Sequence, residues 1–260
     1  MRSMIDELRR AIFSKGFIFT VALVFVMYFI DGNQALDEYT SVLSLLEMIS
    51  GIGAFKWVVP CVGTLCYAGS FVGEFEKGYV RYCITRKGVG HYAIQKSIAV
   101  CISAFFAVFI AILAYAAYAH SVCKELLNPE ELANYLPYIE NVSFYNLIDD
   151  GQYVIYILLQ AALRGMAAGT WSIAGLLLST IWKNTYVAIF SPAVIVYFKD
   201  YVMGWFSINP AVTLKSMEMG ALYVGGTVKP LVIITSTFLL ISAVFTACTY
   251  LNLRRGLANA

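Results

Sequence analysis

Few side chains in this chain are placed to do chemistry. Arg164 lies midway along an apolar stretch, with Gln160 one turn before it and Tyr156 one turn before that. That spacing puts all three polar groups on one helical face. A guanidinium at membrane depth costs about 2.5–3.5 kcal/mol on an insertion scale, so it needs a use or a partner. In one reading, Tyr156, Gln160 and Arg164 line a substrate path and meet an anionic or carbonyl-rich group. In the other, Arg164 is structural, satisfied by helix-end carbonyls or by an acid on a neighbouring helix. Lys56 is the other base inside an apolar stretch. It joins the path in the first reading; in the second it sits about two turns from a helix end and extends its ammonium to the surface.

Hydrolytic and metal chemistry find no support in the residue pattern. The two histidines, His91 and His120, fall in different connecting segments, and no H-E-x-x-H occurs. No carboxylate pair lies inside an apolar stretch to share a proton. A phosphate-cradling loop needs G-x-x-x-x-G-K-[ST], and the nearest match, Gly73 to Gly78, is followed by Tyr79. The chain is therefore expected to be non-catalytic, with no metal site and no cofactor of its own. An ion-coupled carrier needs an acid near mid-membrane. Every acid here falls in a loop or at a span end, Asp200 being the deepest, which argues for an external energy source. The six cysteines mostly fall in apolar runs and read as packing residues, not as a disulfide framework.

The elements that hold these residues follow from composition. The chain has 260 residues, 60% hydrophobic and only 13% charged, against roughly 25% charged in a soluble domain. Mean hydropathy is +0.73. A net charge of +2 leaves no basic surface for nucleic acid. Apolar runs predict six spans, at Ala11–Ile30, Met48–Gly73, Ser97–Ala119, Gly151–Trp182, Thr185–Phe206 and Pro230–Leu251. The fifth is the weakest, because its uninterrupted part stops at Phe198, and the helix is expected to end early or break near a surface. The expected class is an all-α membrane protein of six transmembrane helices.

The bases orient the spans. With both termini in the cytoplasm, twelve of the 18 Lys and Arg fall inside and four outside, with Lys56 and Arg164 within spans. The first apolar run is preceded by acids and followed by no small-x-small step after Ile30, so it reads as a retained span and not as a signal peptide. Residues 120–150 and 207–229 then become extracellular loops. Ala161, Gly165 and Gly169, like Gly69 and Gly73, repeat every four residues. That spacing brings helices close, within one chain or between two copies.

Two water-facing segments carry a pattern of their own. In residues 1–15, Met1, Met4, Ile5, Leu8, Ala11 and Ile12 recur at helical spacing opposite Arg2, Asp6, Arg9 and Arg10, which predicts an amphipathic helix in the headgroup plane and contact with membrane lipid. Residues 74–96 mix Glu74, Glu76, Arg81, Arg86 and Lys87 with Tyr79, Val80, Tyr82 and Ile84. A short amphipathic helix presented to a soluble partner fits that mixture, with Gly88 and Gly90 ending it.

This second segment resembles the cytoplasmic loop of ABC-2 type transporter permeases, a family with E-F-x-x-G after the second span and a basic turn leading to a lysine before the third. The matching positions are Glu74, Phe75, Gly78, Arg86-Lys87-Gly88 and Lys96. The six-span layout, the interfacial helix and the Ser207-Ile208-Asn209-Pro210 step are also similar. The resemblance implies the permease subunit of a bacterial ABC exporter in the prokaryotic plasma membrane, working as a homodimer with a separate ABC ATPase subunit that brings ATP and Mg. It also makes residues 74–96 a coupling element. Arg81, Arg86 and Lys87 would touch the ATPase, and Glu74 and Glu76 would hold the end of span two. Between two aromatic-rich, sparsely charged subunits, an amphipathic peptide is the expected cargo. The alternatives are a non-transporting immunity or sensor protein that binds an apolar peptide, and an ion-coupled secondary carrier.

Overall fold

A computed structural model of the chain describes residues 4–36, 40–52, 62–123, 125–128, 143–205, 214–218, 222, 224 and 226–258. Its helices are α1 (Met4–Ile12), α2 (Lys15–Ala35), α3 (Val42–Ile52), α4 (Ser70–Glu76), α5 (Tyr79–Lys87), α6 (Val89–Cys123), α7 (Tyr145–Asp149), α8 (Tyr153–Trp182), α9 (Thr185–Trp205), α10 (Leu214–Glu218) and α11 (Val228–Ala258). Among the described residues the only β pairing is one isolated parallel bridge, Ser41 with Glu125. The fold is all-α.

Among the described residues, four helices are long and apolar enough to cross a membrane: Lys15–Ala35, Val89–Cys123, Tyr153–Trp182 and Val228–Gly256. Their outward faces carry exposed Phe19, Ile30, Leu239 and Leu240, an amount of contiguous apolar surface that suits lipid better than water. The expected second span, Met48–Gly73, is described only at its two ends, because residues 53–61 lie outside the described set. Lys56 falls there, and residues 129–142 of the expected 120–150 loop and the 207–210 step also lie outside the described set.

The helix α8 is the centre of the bundle. Most of its length is buried, its polar Gln160, Arg164, Thr170 and Ser172 included, as expected of a helix enclosed by others on most sides. It packs against α6, α11 and α9. Its small residues make this approach: a Cβ on Gly165 would sit 2.9 Å from the Phe105 carbonyl oxygen, and one on Gly169 would sit 2.8 Å from that of Cys101. The small-residue stripe therefore packs within the chain, against α6.

Two helices differ from the sequence expectation. The first apolar run is broken at Ser14, whose extended backbone (φ −75°, ψ 151°) caps α2 while its Oγ accepts from the Phe17 amide at 3.0 Å. Ser14 also donates to the Cys66 carbonyl at 3.1 Å, which fixes the corner between α1 and α2. The helix α9 does not stop at Phe198. It continues through Lys199 and Asp200 because Lys199 is paired with Asp200 at 3.2 Å and with Glu218 at 2.7 Å.

Candidate functional site

The helix α6 is 35 residues long, about 50 Å, well beyond the ~30 Å hydrocarbon layer. Lys96 lies near the N-terminal end of this helix and is 2% exposed. The Lys96 ammonium contacts Glu7 Oε1 and Glu74 Oε1, each at 2.9 Å. Arg10 Nη1 reaches Glu7 Oε2 and Glu74 Oε1, each at 3.4 Å. Tyr67 donates to Glu7 Oε1 at 2.7 Å, and Tyr92 donates to Glu74 Oε2 at 2.9 Å. The Lys96 ammonium also lies 4.4 Å from the centre of the Tyr67 ring. Two acids and two bases balance, as a buried cluster requires. The result is a joint that ties α1, α4 and α6 together.

Sequence position explains why these elements meet. Glu7 is one turn before Ala11, and both are buried while Met4 and Ile5 are exposed. The helix α1 therefore turns its Glu7–Ala11 face to the protein and keeps Met4 and Ile5 outward. Gly78 (φ +69°) and Gly88 (φ +81°) make the two corners that set α5 between α4 and α6. On α5, Val80 and Ile84 are buried, whereas Arg81, Tyr82 and Arg86 are exposed. Arg86 stacks 4.7 Å over the Tyr82 ring, and Lys87 donates to Gln95 Oε1 at 3.3 Å. A cavity of about 190 Å³ separates α5 from the joint, lined by Glu74, Tyr82, Arg86, Lys87, Gln95 and Lys96 among others. Glu76 is exposed at the end of α4.

The Glu7 carboxyl carries a pH dependence. Burial pushes its pKa up, but the Lys96 charge and hydrogen bond, the Tyr67 hydrogen bond and Arg10 outweigh that and hold it below the usual 4.5. A depressed folded value means that the stabilisation is complete above 4.5 and is lost as pH falls through the lower folded value. Melting temperature in detergent should be level around neutral pH and fall on acidification below that point. Glu7→Gln should lower the level region and flatten the acid limb. An acid limb that is the same in Glu7→Gln would exclude Glu7 as its source.

The proposed path residues lie elsewhere. Tyr156 donates to Glu47 Oε1 at 2.8 Å, and Gln160 Nε2 donates to the Tyr156 hydroxyl at 3.2 Å. Arg164 is 7% exposed, and the groups acting on its charge are Tyr28, Glu47 and Tyr156. These residues and Leu43, Leu46 and Ile112 border a cavity of only about 10 Å³, room for about one water. The helix α3 brings Glu47 to this stripe; because it begins at Val42, six residues before the expected span, Glu47 is a helical residue and not part of a loop.

A third polar cluster joins α8, α9 and α10. The short α10 falls within the expected 207–229 loop, yet its Glu218 carboxylate accepts from Trp171 Nε1 at 2.8 Å and pairs with Lys199. Glu218 is thus packed beside the middle of α8. The sequence pattern alone does not single out Glu7, Tyr67, Tyr92, Glu47 or Glu218. The available signal was strongest for Glu7, an acid at helical spacing within an apolar stripe. Among the described residues, no group of three His, Cys, Asp or Glu side chains is placed to hold a metal. No family model matches the chain, and no curated protein or solved structure matches it.

Proposed function

We propose that the chain is the membrane subunit of an ATP-driven exporter of the ABC-2 type, with six spans, both termini in the cytoplasm and two copies per assembly. A separate ATPase supplies the energy, and an amphipathic peptide is the cargo. The observation that carries this reading is the arrangement around Lys96. An exposed basic helix, α5, packs on α4 and α6 and faces, across a cavity, a buried ion-pair joint that holds α4, the interfacial helix α1 and the long helix α6 together. Force applied to α5 passes to α6 through the buried Val80 and Ile84 and the Lys87–Gln95 hydrogen bond, and between α6 and α1 through the charged contacts of the joint. Arg81, Arg86 and Lys87 meet the ATPase in this account, Glu74 belongs to the joint, and Glu76 flanks it. The position of Tyr156, Gln160 and Arg164 beside Tyr28 and Glu47 supports the structural role for that stripe over the substrate path.

The test reconstitutes the chain with its ATPase in vesicles and compares Arg86→Glu combined with Lys87→Glu. Permease-stimulated ATP turnover should fall about tenfold, the equivalent of roughly 1.4 kcal/mol of lost contact, while the melting temperature holds. Unchanged stimulated turnover would remove α5 from coupling. The Lys199–Asp200–Glu218 cluster favours a second reading, an ion-coupled carrier, because two largely buried acids meet there beside a lysine, and such a carrier uses buried acids. Cargo flux that persists without ATP and follows an ion gradient would select that reading.

A further inference from the structure

The cluster at the junction of α8, α9 and α10 is not electrically balanced. Lys199 Nζ is the one cation between two carboxylates, 2.7 Å from Glu218 Oε1 and 3.2 Å from Asp200 Oδ1, which leaves one negative charge over. The three side chains are 12%, 13% and 9% exposed for Lys199, Glu218 and Asp200. Glu218 is well served, since the same oxygen also accepts from Trp171. Asp200 is not: its Oδ1 is enclosed and accepts no hydrogen bond.

Among the described residues, no second cation lies within ion-pair distance of Asp200 or Glu218. On α8 the facing group is Trp171, whose ring also lies 5.3 Å from the Lys199 ammonium. On α10, Lys215 is not within ion-pair distance of either carboxylate. The helix α11 has no charged residue between Lys229 and Arg254, and segments 206–213 and 219–225 have none at all. The depth makes the imbalance costly. A 30-residue α8 is about 45 Å long, and Trp171 is about 27 Å from its start and 17 Å from its end. An unmatched charge so far from both ends of the helix is strongly unfavourable.

We propose that this junction is a binding site for one monovalent cation, a proton or an alkali ion, held by Asp200 and Glu218 beside Lys199. Asp200 Oδ1, which has the Lys199 contact but accepts no hydrogen bond, is the ligand with capacity to spare, Glu218 shares the charge, and the Lys199 ammonium limits the site to a single added charge. The inference stands on burial and charge balance and does not depend on a partner ATPase.

Trp171 is a built-in reporter because its indole N–H is bonded to Glu218. A full-length variant with Trp57, Trp182 and Trp205 changed to Phe, placed in nanodiscs, leaves Trp171 as the only tryptophan. One arm varies pH in a buffer whose only cation is a large organic one. The other adds Li⁺, Na⁺ or K⁺ at fixed pH. A saturable change in Trp171 emission in one arm is the expected result, accompanied in the alkali-ion arm by a melting temperature that rises as that cation is added; the arm that responds tells a proton from an alkali ion. Asp200→Asn should weaken the response at least tenfold, and Asp200→Ser serves if that variant does not fold. A flat response in both arms, or one that survives the Asp200 substitution, overturns the proposal. A flat response in the Lys215→Ala variant would also overturn it, because that residue is outside the site.

Discussion

Lys96→Met should destabilise the chain by about 3–5 kcal/mol, the usual effect of removing one partner from a buried ion pair. The lysine is 2% exposed and touches two carboxylates that are themselves 8% and 10% exposed. Methionine matches its length and apolar stem, so the change isolates the charge. Glu7 and Glu74 would be left to Arg10, which is 42% exposed and 3.4 Å from each. The measurement is thermal unfolding of the purified protein in detergent. Adding Glu7→Gln and Glu74→Gln to Lys96→Met should recover most of the loss, since no buried carboxylate is then stranded and the remaining charge, on Arg10, is 42% exposed and can be solvated. If the triple variant were as unstable as the single one, the damage would come from packing and not from the ion pairs.

Gly169→Val is the second large effect. The glycine faces the Cys101 carbonyl of α6, and a Cβ there would lie 2.8 Å from that oxygen and 2.9 Å from the Cys101 sulfur. Backbone cannot yield as a flexible side chain does, so α6 and α8 must separate. Overpacking of this kind costs about 1–3 kcal/mol for the added carbons, and separating the two helices adds lost contacts along the interface. Gly73→Val is the control, because no atom lies within 4 Å of its would-be Cβ. A melting temperature that falls for Gly169→Val and holds for Gly73→Val is the expected pair. Equal effects would place the small-residue stripe elsewhere than this interface.

How much was legible in the sequence depended on the range of the interaction. The helices α6, α8 and α11 were legible because twenty or more apolar residues in a row have few other uses. The corner at Gly88 was legible too, since a glycine after Arg86-Lys87 signals a left-handed stop. The joint was not. Lys96 and Glu7 are 89 positions apart, and Tyr67 reaches Glu7 from a segment with no polar pattern. On α1 the apolar stripe was visible, but its two possible partners, lipid and protein, select the same spacing; only Glu7 within the stripe separates them, by needing Lys96. The helix α9 shows the opposite error. Lys199 and Asp200 look like a helix end when their own segment is considered alone, yet Glu218 and Trp171 make a charged turn stable in the interior. Glu218 carried no signal, because a loop acid that folds inward has the same neighbours in sequence as one that stays in water.

The most direct test of force transfer through α5 is photo-cross-linking in native membranes from a reactive residue in place of Tyr82, an exposed position on α5. The cross-linked polypeptide is then identified from its own sequence. The account predicts a soluble subunit that carries a G-x-x-x-x-G-K-[ST] loop, joined at position 82 but not from a matched position at Leu239 on α11, and lost when Arg86→Glu and Lys87→Glu are added. No such adduct from position 82, together with cargo movement by the purified chain alone in sealed vesicles, would contradict it.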